Sequence, residues 1–85
     1  MKPVTIYTSA MCPYCWRALD LLKKKNVKFE HIKVDMNPKR RAEMVQRAGG
    51  RTSVPQIFVG EDHIGGCDEM YALERAGKLD QVLAD

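Results

Sequence analysis

No stretch of this chain is apolar for long enough to span a bilayer as a helix. Aromatic residues are scarce, at 7%, and no stacking rings accompany the basic runs Lys23-Lys24-Lys25 and Lys39-Arg40-Arg41. Those runs therefore read as solvated helix faces, and neither a nucleic-acid nor a membrane partner is expected. Cysteine is scarce too: there are three, an odd number that does not suit a structural disulfide framework. No internal repeat, linker or low-complexity segment interrupts the chain. No basic-plus-apolar leader precedes the first alternating segment. The expectation is one domain over residues 1–85, soluble, cytoplasmic and monomeric.

What is present fits a small globular protein. Apolar residues make up 45% and charged residues 29% of the 85 positions, which excludes a disordered or coiled-coil chain. The formal net charge of +3 is mildly basic and would draw small anions toward the surface.

The order of elements follows from hydrophobic period and turn chemistry. Val4 to Thr8 is β-branched and aromatic, as a buried strand requires. From Pro13 the period becomes helical, with Cys15, Ala18, Leu19 and Leu22 on one face. Pro13 suits a first helical turn, where its missing N–H is no loss, and Asn26 suits a left-handed helix end. Val27 to Val34 is a second strand whose alternation slips at His31-Ile32. Asn37 and Pro38 cap and open a second helix that runs to about Ala48, with Ala42, Val45 and Ala48 inward. Gln56 to Val59 and His63 to Gly65 form an antiparallel hairpin across Gly60-Glu61-Asp62. A helix from Cys67 to Ala76 ends at Gly77, and Leu79, Val82 and Leu83 keep helical spacing in the tail. The predicted fold is α/β with order βαβαββα: a four-stranded mixed sheet flanked by three or more helices, the smallest form of the thioredoxin fold.

Cys12 and Cys15 carry the chemistry. Thiol–disulfide exchange needs one thiolate to attack and a second thiol near enough to resolve the mixed disulfide. Placed just before a helix, Cys12 faces N–H groups and the positive end of the helix dipole, which favour negative charge on sulfur. Cys15 falls one turn later on the inner face. Cys12 is therefore the expected nucleophile and Cys15 the resolving thiol. A bare Cys-x-x-Cys also occurs in zinc sites, but its position between a strand and a helix points to redox work. No metal site and no bound cofactor are expected. Tyr14 offers either an aromatic wall beside the sulfur or a half-exposed surface ring. Trp16 either shields Cys15 or lies on the surface near substrate. His31 and His63 read as strand residues, and Met36, Met44 and Met70 as fillers of core gaps.

Three blocks together carry a resemblance: Ile6-Tyr7-Thr8 leading to Cys12-Pro13-Tyr14-Cys15, then Ser53-Val54-Pro55-Gln56-Ile57-Phe58, then His63-Ile64-Gly65-Gly66-Cys67-Asp68. Over nearly its whole length the chain resembles the bacterial dithiol glutaredoxins. The resemblance implies a glutathione-dependent oxidoreductase that reduces protein disulfides and glutathionylated proteins, with glutathione as reducing co-substrate. It implies a cis Pro55 opposite the active-site loop, which leaves the Val54 N–H and C=O open to an extended cysteinyl peptide. It also makes Gly66, Cys67 and Asp68 the site for the γ-glutamyl end of glutathione. There the Cys67 and Asp68 N–H groups would meet a carboxylate, and the Asp68 side chain the ammonium. Asp68 also suits a helix cap. Cys67 is expected to be non-catalytic, though open to accessory oxidation or glutathionylation. Family members usually carry a basic residue three positions before the first active-site cysteine, where this chain has Ser9. Arg40, Arg41 and Arg51 are the candidate substitutes. Two rival readings are an electron donor of the same fold served by thioredoxin reductase, and a carrier that shares an iron–sulfur cluster between two chains.

Overall fold

The computed structural model describes residues 2–84. Its elements are β1 (Val4–Thr8), α1 (Pro13–Lys24), β2 (Phe29–Lys33), α2 (Pro38–Arg47), β3 (Gln56–Val59), β4 (Asp62–Gly65), α3 (Cys67–Arg75) and α4 (Leu79–Leu83). The sheet order is β2-β1-β3-β4. β1 and β2 are parallel, while β3 runs antiparallel to both β1 and β4. This is the expected four-stranded mixed sheet, with the tail forming a fourth helix.

Strand alternation divides the core between the two faces of the sheet. Val4, Ile6, Ile57 and Val59 point to the face covered by α1, α3 and α4, where Ala18, Leu22, Met70, Leu79 and Leu83 meet them. Tyr7, Phe58 and Ile32 point to the other face, where Met44 of α2 and Ala48 at its C-cap close over them. β1 and β3 are thus buried on both sides, which is why neither shows a clean polar alternation.

Three expectations need correction. β2 is shorter than residues 27–34, because Val27 and Val34 bury outside the ladder and the strand lies at the sheet edge. The inward face of α2 is set by Met44 and Ala48 with Val45 half-buried, and Ala42 is exposed. Met36 fills no core gap: it is fully exposed and has φ of 59°, in the left-handed region. A turn before the Asn37 cap demands that backbone, whatever the side chain's preference. By contrast Asn26 ends α1 with φ of 61°, and Met44 and Met70 are buried.

The buried polar side chains beneath α2 are paired among the described residues. The Tyr7 hydroxyl donates to Glu43 at 2.5 Å and accepts from Arg47 at 2.8 Å. Arg47 lies over the Phe58 ring, 4.2 Å from its centre. His63 of β4, the register partner of Phe58, stacks on its ring at 4.7 Å between centres and pairs with the Gln56 amide oxygen at 2.6 Å. His31 pairs with the Thr8 hydroxyl at 2.6 Å.

Burial disfavours the charged imidazole at both His31 and His63 and holds each pKa below the usual value. The unfolded chain therefore takes up these protons first as pH falls. Their stabilising contribution is complete above about pH 6.5 and is lost below it. The urea midpoint should accordingly decline between about pH 7 and 5.5. A His31→Gln/His63→Gln protein should lose most of that slope, and a parent profile flat across this window would refute the assignment.

Candidate active site

Four segments meet at one end of the sheet. β1 runs into the loop that carries Cys12. Antiparallel pairing of Tyr7 with Gln56 brings the start of β3, and with it Val54-Pro55, to the same end. The register of β4 places Gly65 opposite Ile57, so α3 also begins there. The parallel β2 contributes the loop before α2.

Cys12 is the N-cap of α1, with an extended backbone, and its sulfur accepts the Cys15 N–H at 3.1 Å. The first helical bond follows at once, from the Trp16 N–H to the Cys12 carbonyl at 3.1 Å. Pro13 takes the first helical position, where no intrahelical acceptor exists for an N–H. On the other side the Cys12 thiol donates to the Val54 carbonyl at 3.8 Å. The Val54–Pro55 peptide is cis, as the resemblance implied.

All three cysteines are free thiols. Cys12 retains 8% of its surface while Cys15 has none. Burial pushes the Cys15 thiol up to about 12, and its hydrogen bond with Cys12 adds to the effect. Cys67, first residue of α3, is buried and also raised by burial, with Arg17 opposing. Of the pair, Cys12 keeps a small exposed area and Cys15 is a fully shielded, proton-bearing thiol. That is the asymmetry the two steps of exchange require.

Beside Cys12 lies a cleft of about 140 Å³ lined by Tyr14, Arg51, Ser53, Val54, Pro55, Cys67, Asp68 and Glu69. The structure thus brings together five residues expected at a glutathione site: Tyr14, Val54, Pro55, Cys67 and Asp68. Gly66, the sixth, does not line the cleft; it is buried as the N-cap of α3. A Cβ there would stand 3.2 Å from the Pro55 carbonyl oxygen, so a side chain would press α3 away from the Val54-Pro55 backbone by a few tenths of an ångström. Asp68 is not the cap; it is exposed in the first helical turn. The Gly66 N–H is taken by the Glu69 carboxylate at 2.7 Å, half of a capping box. Cys67 and Asp68 hold their N–H groups in the first turn, where a helix offers them no acceptor of its own.

The three candidate arginines separate clearly. Arg40 is engaged by Glu43 at 2.9 Å and approaches Glu30 at 3.8 Å. Arg41 donates to the Thr52 carbonyl at 3.0 Å. Arg51 alone of the three lines the cleft, paired with Glu69 at 3.1 Å. The Gly66 N–H, and after it Arg51, hold the Glu69 carboxyl below its usual range. Ser53 and Glu69 were not foreseen. Glu69 had a legible signal, being an acid three residues after a glycine that opens a helix. Trp16 is exposed rather than packed over Cys15.

Known proteins match this arrangement. The family model described as Glutaredoxin matches residues 4–64. This chain belongs to the glutaredoxin family. A glutaredoxin of Pseudomonas aeruginosa is 57% identical over 84 residues, covering 99% of each chain. The solution structure of a glutaredoxin from Brucella melitensis superposes with a TM-score of 0.84 at 52% identity, covering 98% of this chain and 89% of that one. A buckwheat glutaredoxin, solved as a complex with glutathione, gives a TM-score of 0.85 at 30% identity, covering 96% of this chain and 76% of that one. Glutaredoxins are glutathione-dependent thiol–disulfide oxidoreductases, and that is the activity of this chain, with glutathione as co-substrate.

The difference in access between the thiols has a direct readout. Brief treatment of the reduced protein with iodoacetamide at neutral pH should add one alkyl group, on Cys12. Peptide mass mapping that found Cys15 or Cys67 modified at a comparable rate would refute the asymmetry.

Proposed function

We propose that Cys12 is the nucleophile and Cys15 the resolving thiol, and that the cleft beside them is the glutathione site. The observation that carries this reading is the position of the Cys12 sulfur. It lies 3.1 Å from the Cys15 N–H and 3.8 Å from the Val54 carbonyl, between a helix start and the wall of the cleft.

The Cys12 thiolate attacks one sulfur of a disulfide. A Cys12–substrate S–S bond forms, the original S–S bond breaks, and the leaving sulfur departs with the electron pair and is protonated. In the dithiol branch Cys15 then loses its proton and attacks the Cys12 sulfur. The substrate leaves as a second thiol, and a Cys12–Cys15 disulfide remains. Two glutathione molecules reduce that disulfide and are released joined as glutathione disulfide. In the monothiol branch the mixed disulfide forms between Cys12 and glutathione, and a second glutathione resolves it without Cys15. The high Cys15 pKa, set first by burial and then by the hydrogen bond with Cys12, suits this division, because the thiol keeps its proton while Cys12 attacks.

Within the cleft, the Val54 backbone pairs with the cysteinyl residue of glutathione in the manner of an added strand. The Cys67 and Asp68 N–H groups take the γ-glutamyl carboxylate, with the start of α3 behind them. Asp68 takes the ammonium, Gly66 sets the closeness of the two backbones, and Tyr14 with Pro55 forms the apolar wall. Arg51 serves the glycine carboxylate, filling the role left open at Ser9. The buckwheat relative's complex with glutathione supports this use of the cleft. The substrates are disulfide-containing and glutathionylated proteins. The chain works as a monomer in the cytoplasm, a reducing compartment that suits three free thiols.

Cys12→Ser should abolish turnover of both a small glutathione mixed disulfide and a protein disulfide. Cys15→Ser should keep the first activity and lose most of the second, and a variant dead in both assays would contradict the assigned roles. Arg51→Gln should raise KM for the glutathione mixed disulfide by about tenfold, as loss of one charge-assisted hydrogen bond does. Steady-state kinetics showing an unchanged KM would remove Arg51 from the site.

A further inference from the structure

Among the described residues the exposed large apolar side chains are Met11, Tyr14, Trp16 and Met36. Their placement is not scattered. Met11, Tyr14 and Trp16 fall within four residues of Cys12. Met36 lies in the loop after β2, and that loop leaves the sheet beside the active-site loop. The geometry of the parallel pair fixes this: Thr8 is in register with Lys33, and the Val34 N–H donates to the Thr8 carbonyl at 2.8 Å. Every one of these side chains therefore stands at the end of the sheet where Cys12 sits. Concentrated apolar exposure of this kind marks a surface that is covered in use.

The glutathione cleft accounts for Tyr14 alone. It opens on the β3, β4 and α3 side, and neither Met11, Trp16 nor Met36 lines it. Met11 and Met36 are 88% and 101% exposed. A small polar tripeptide has no use for two unbranched thioethers beyond its own cleft. Such side chains adapt to apolar partners of varied shape.

Charge defines the partner further. Lys33, Lys39 and Arg41 surround Met36 along the chain, and all three are exposed. Among the described residues no ion pair engages them, whereas Arg40 is taken by Glu30 and Glu43. The first turn of α2 carries no acid, so its positive end adds to the same field. Asp35 is the one carboxylate between Lys33 and Arg41. This side of Cys12 is thus apolar and cationic.

We propose that Met11 and Met36, with Lys39 and Arg41 beside them, form a docking rim for the protein half of the disulfide substrate. The segment it fits is an extended one, with apolar residues and carboxylates flanking its cysteine. Glutathione occupies one side of Cys12 and the polypeptide the other. The proposal rests on Cys12 as nucleophile, so turnover of a small substrate is measured alongside.

The test compares a glutathione mixed disulfide of 2-mercaptoethanol with two glutathionylated peptides, one with Leu and Glu flanking its cysteine, the other with Leu and Lys. The variants are Met11→Ser/Met36→Asn, where asparagine tolerates the left-handed backbone, and Lys39→Glu. The double variant should raise KM for the acidic peptide about five- to tenfold, the loss expected on removing an apolar anchor. Turnover of the small mixed disulfide should stay within about twofold of the parent. Lys39→Glu should raise KM for the acidic peptide and lower it for the basic one. A parent that fails to turn over the small substrate would defeat the assignment of Cys12 itself, and the rim with it. If the small substrate is turned over normally, unchanged peptide kinetics or equal losses on all substrates overturn the rim alone. Loss of a dimer on sedimentation, with peptide kinetics unchanged, would assign the rim to a second copy and overturn it equally.

Discussion

The start of α1 is capped by sulfur rather than oxygen, and the site is organised around that bond. A helix leaves its first N–H groups without acceptors, and the residue at the cap decides what satisfies them. Here the Cys12 sulfur takes the Cys15 N–H at 3.1 Å. The same turn carries Cys15 to the inner face, where burial keeps its proton on. One piece of local helix geometry thus sets the two thiols apart, as the proposed roles of attacking and resolving sulfur require.

What surrounds that cap is supplied by topology. Parallel pairing of β1 with β2 and antiparallel pairing of β3 with both neighbours send four chain segments to one end of the sheet. None of the four is contiguous with another in sequence. Their approach is close because Gly66 lacks a Cβ that would meet the Pro55 carbonyl at 3.2 Å. The Gln56 amide, itself fully buried, donates to the Ser53 carbonyl at 2.9 Å and holds the segment leading to Val54 in place. The buried faces of the sheet are the foundation. Rings such as Phe58 and Tyr7 make the strands rigid, and rigid strands make the loop positions reproducible.

Much of this was legible in the chain. Pro13, Asn26, Asn37 and Pro38 act within one turn of their own backbone, so the ends of α1 and the start of α2 could be placed from residue type. Cys12 and Cys15 were readable from their spacing between a strand and a helix, and Val54-Pro55 and Gly66-Cys67-Asp68 from the resemblance to a known family. What failed depended on long-range packing. Ala42 and Met44 differ by two positions on a short helix, and only the sheet beneath decides which turns inward. Met36 looked like core by composition, but a left-handed turn put it in water. The choice among Arg40, Arg41 and Arg51 turned on which carboxylates and carbonyls lay within reach, and no local pattern carries that.

The Cys12 sulfur lies 3.8 Å from the Val54 carbonyl, beside the proposed glutathione cleft between Val54 and the start of α3. The most direct measurement is the structure of the Cys15→Ser protein trapped as a mixed disulfide with glutathione. Glutathione should be bonded to Cys12, its cysteinyl backbone paired with Val54, and its γ-glutamyl carboxylate on the Cys67 and Asp68 N–H groups. Glutathione bonded to Cys12 but lying away from Val54 and α3, or attached instead to Cys67, would contradict this assignment.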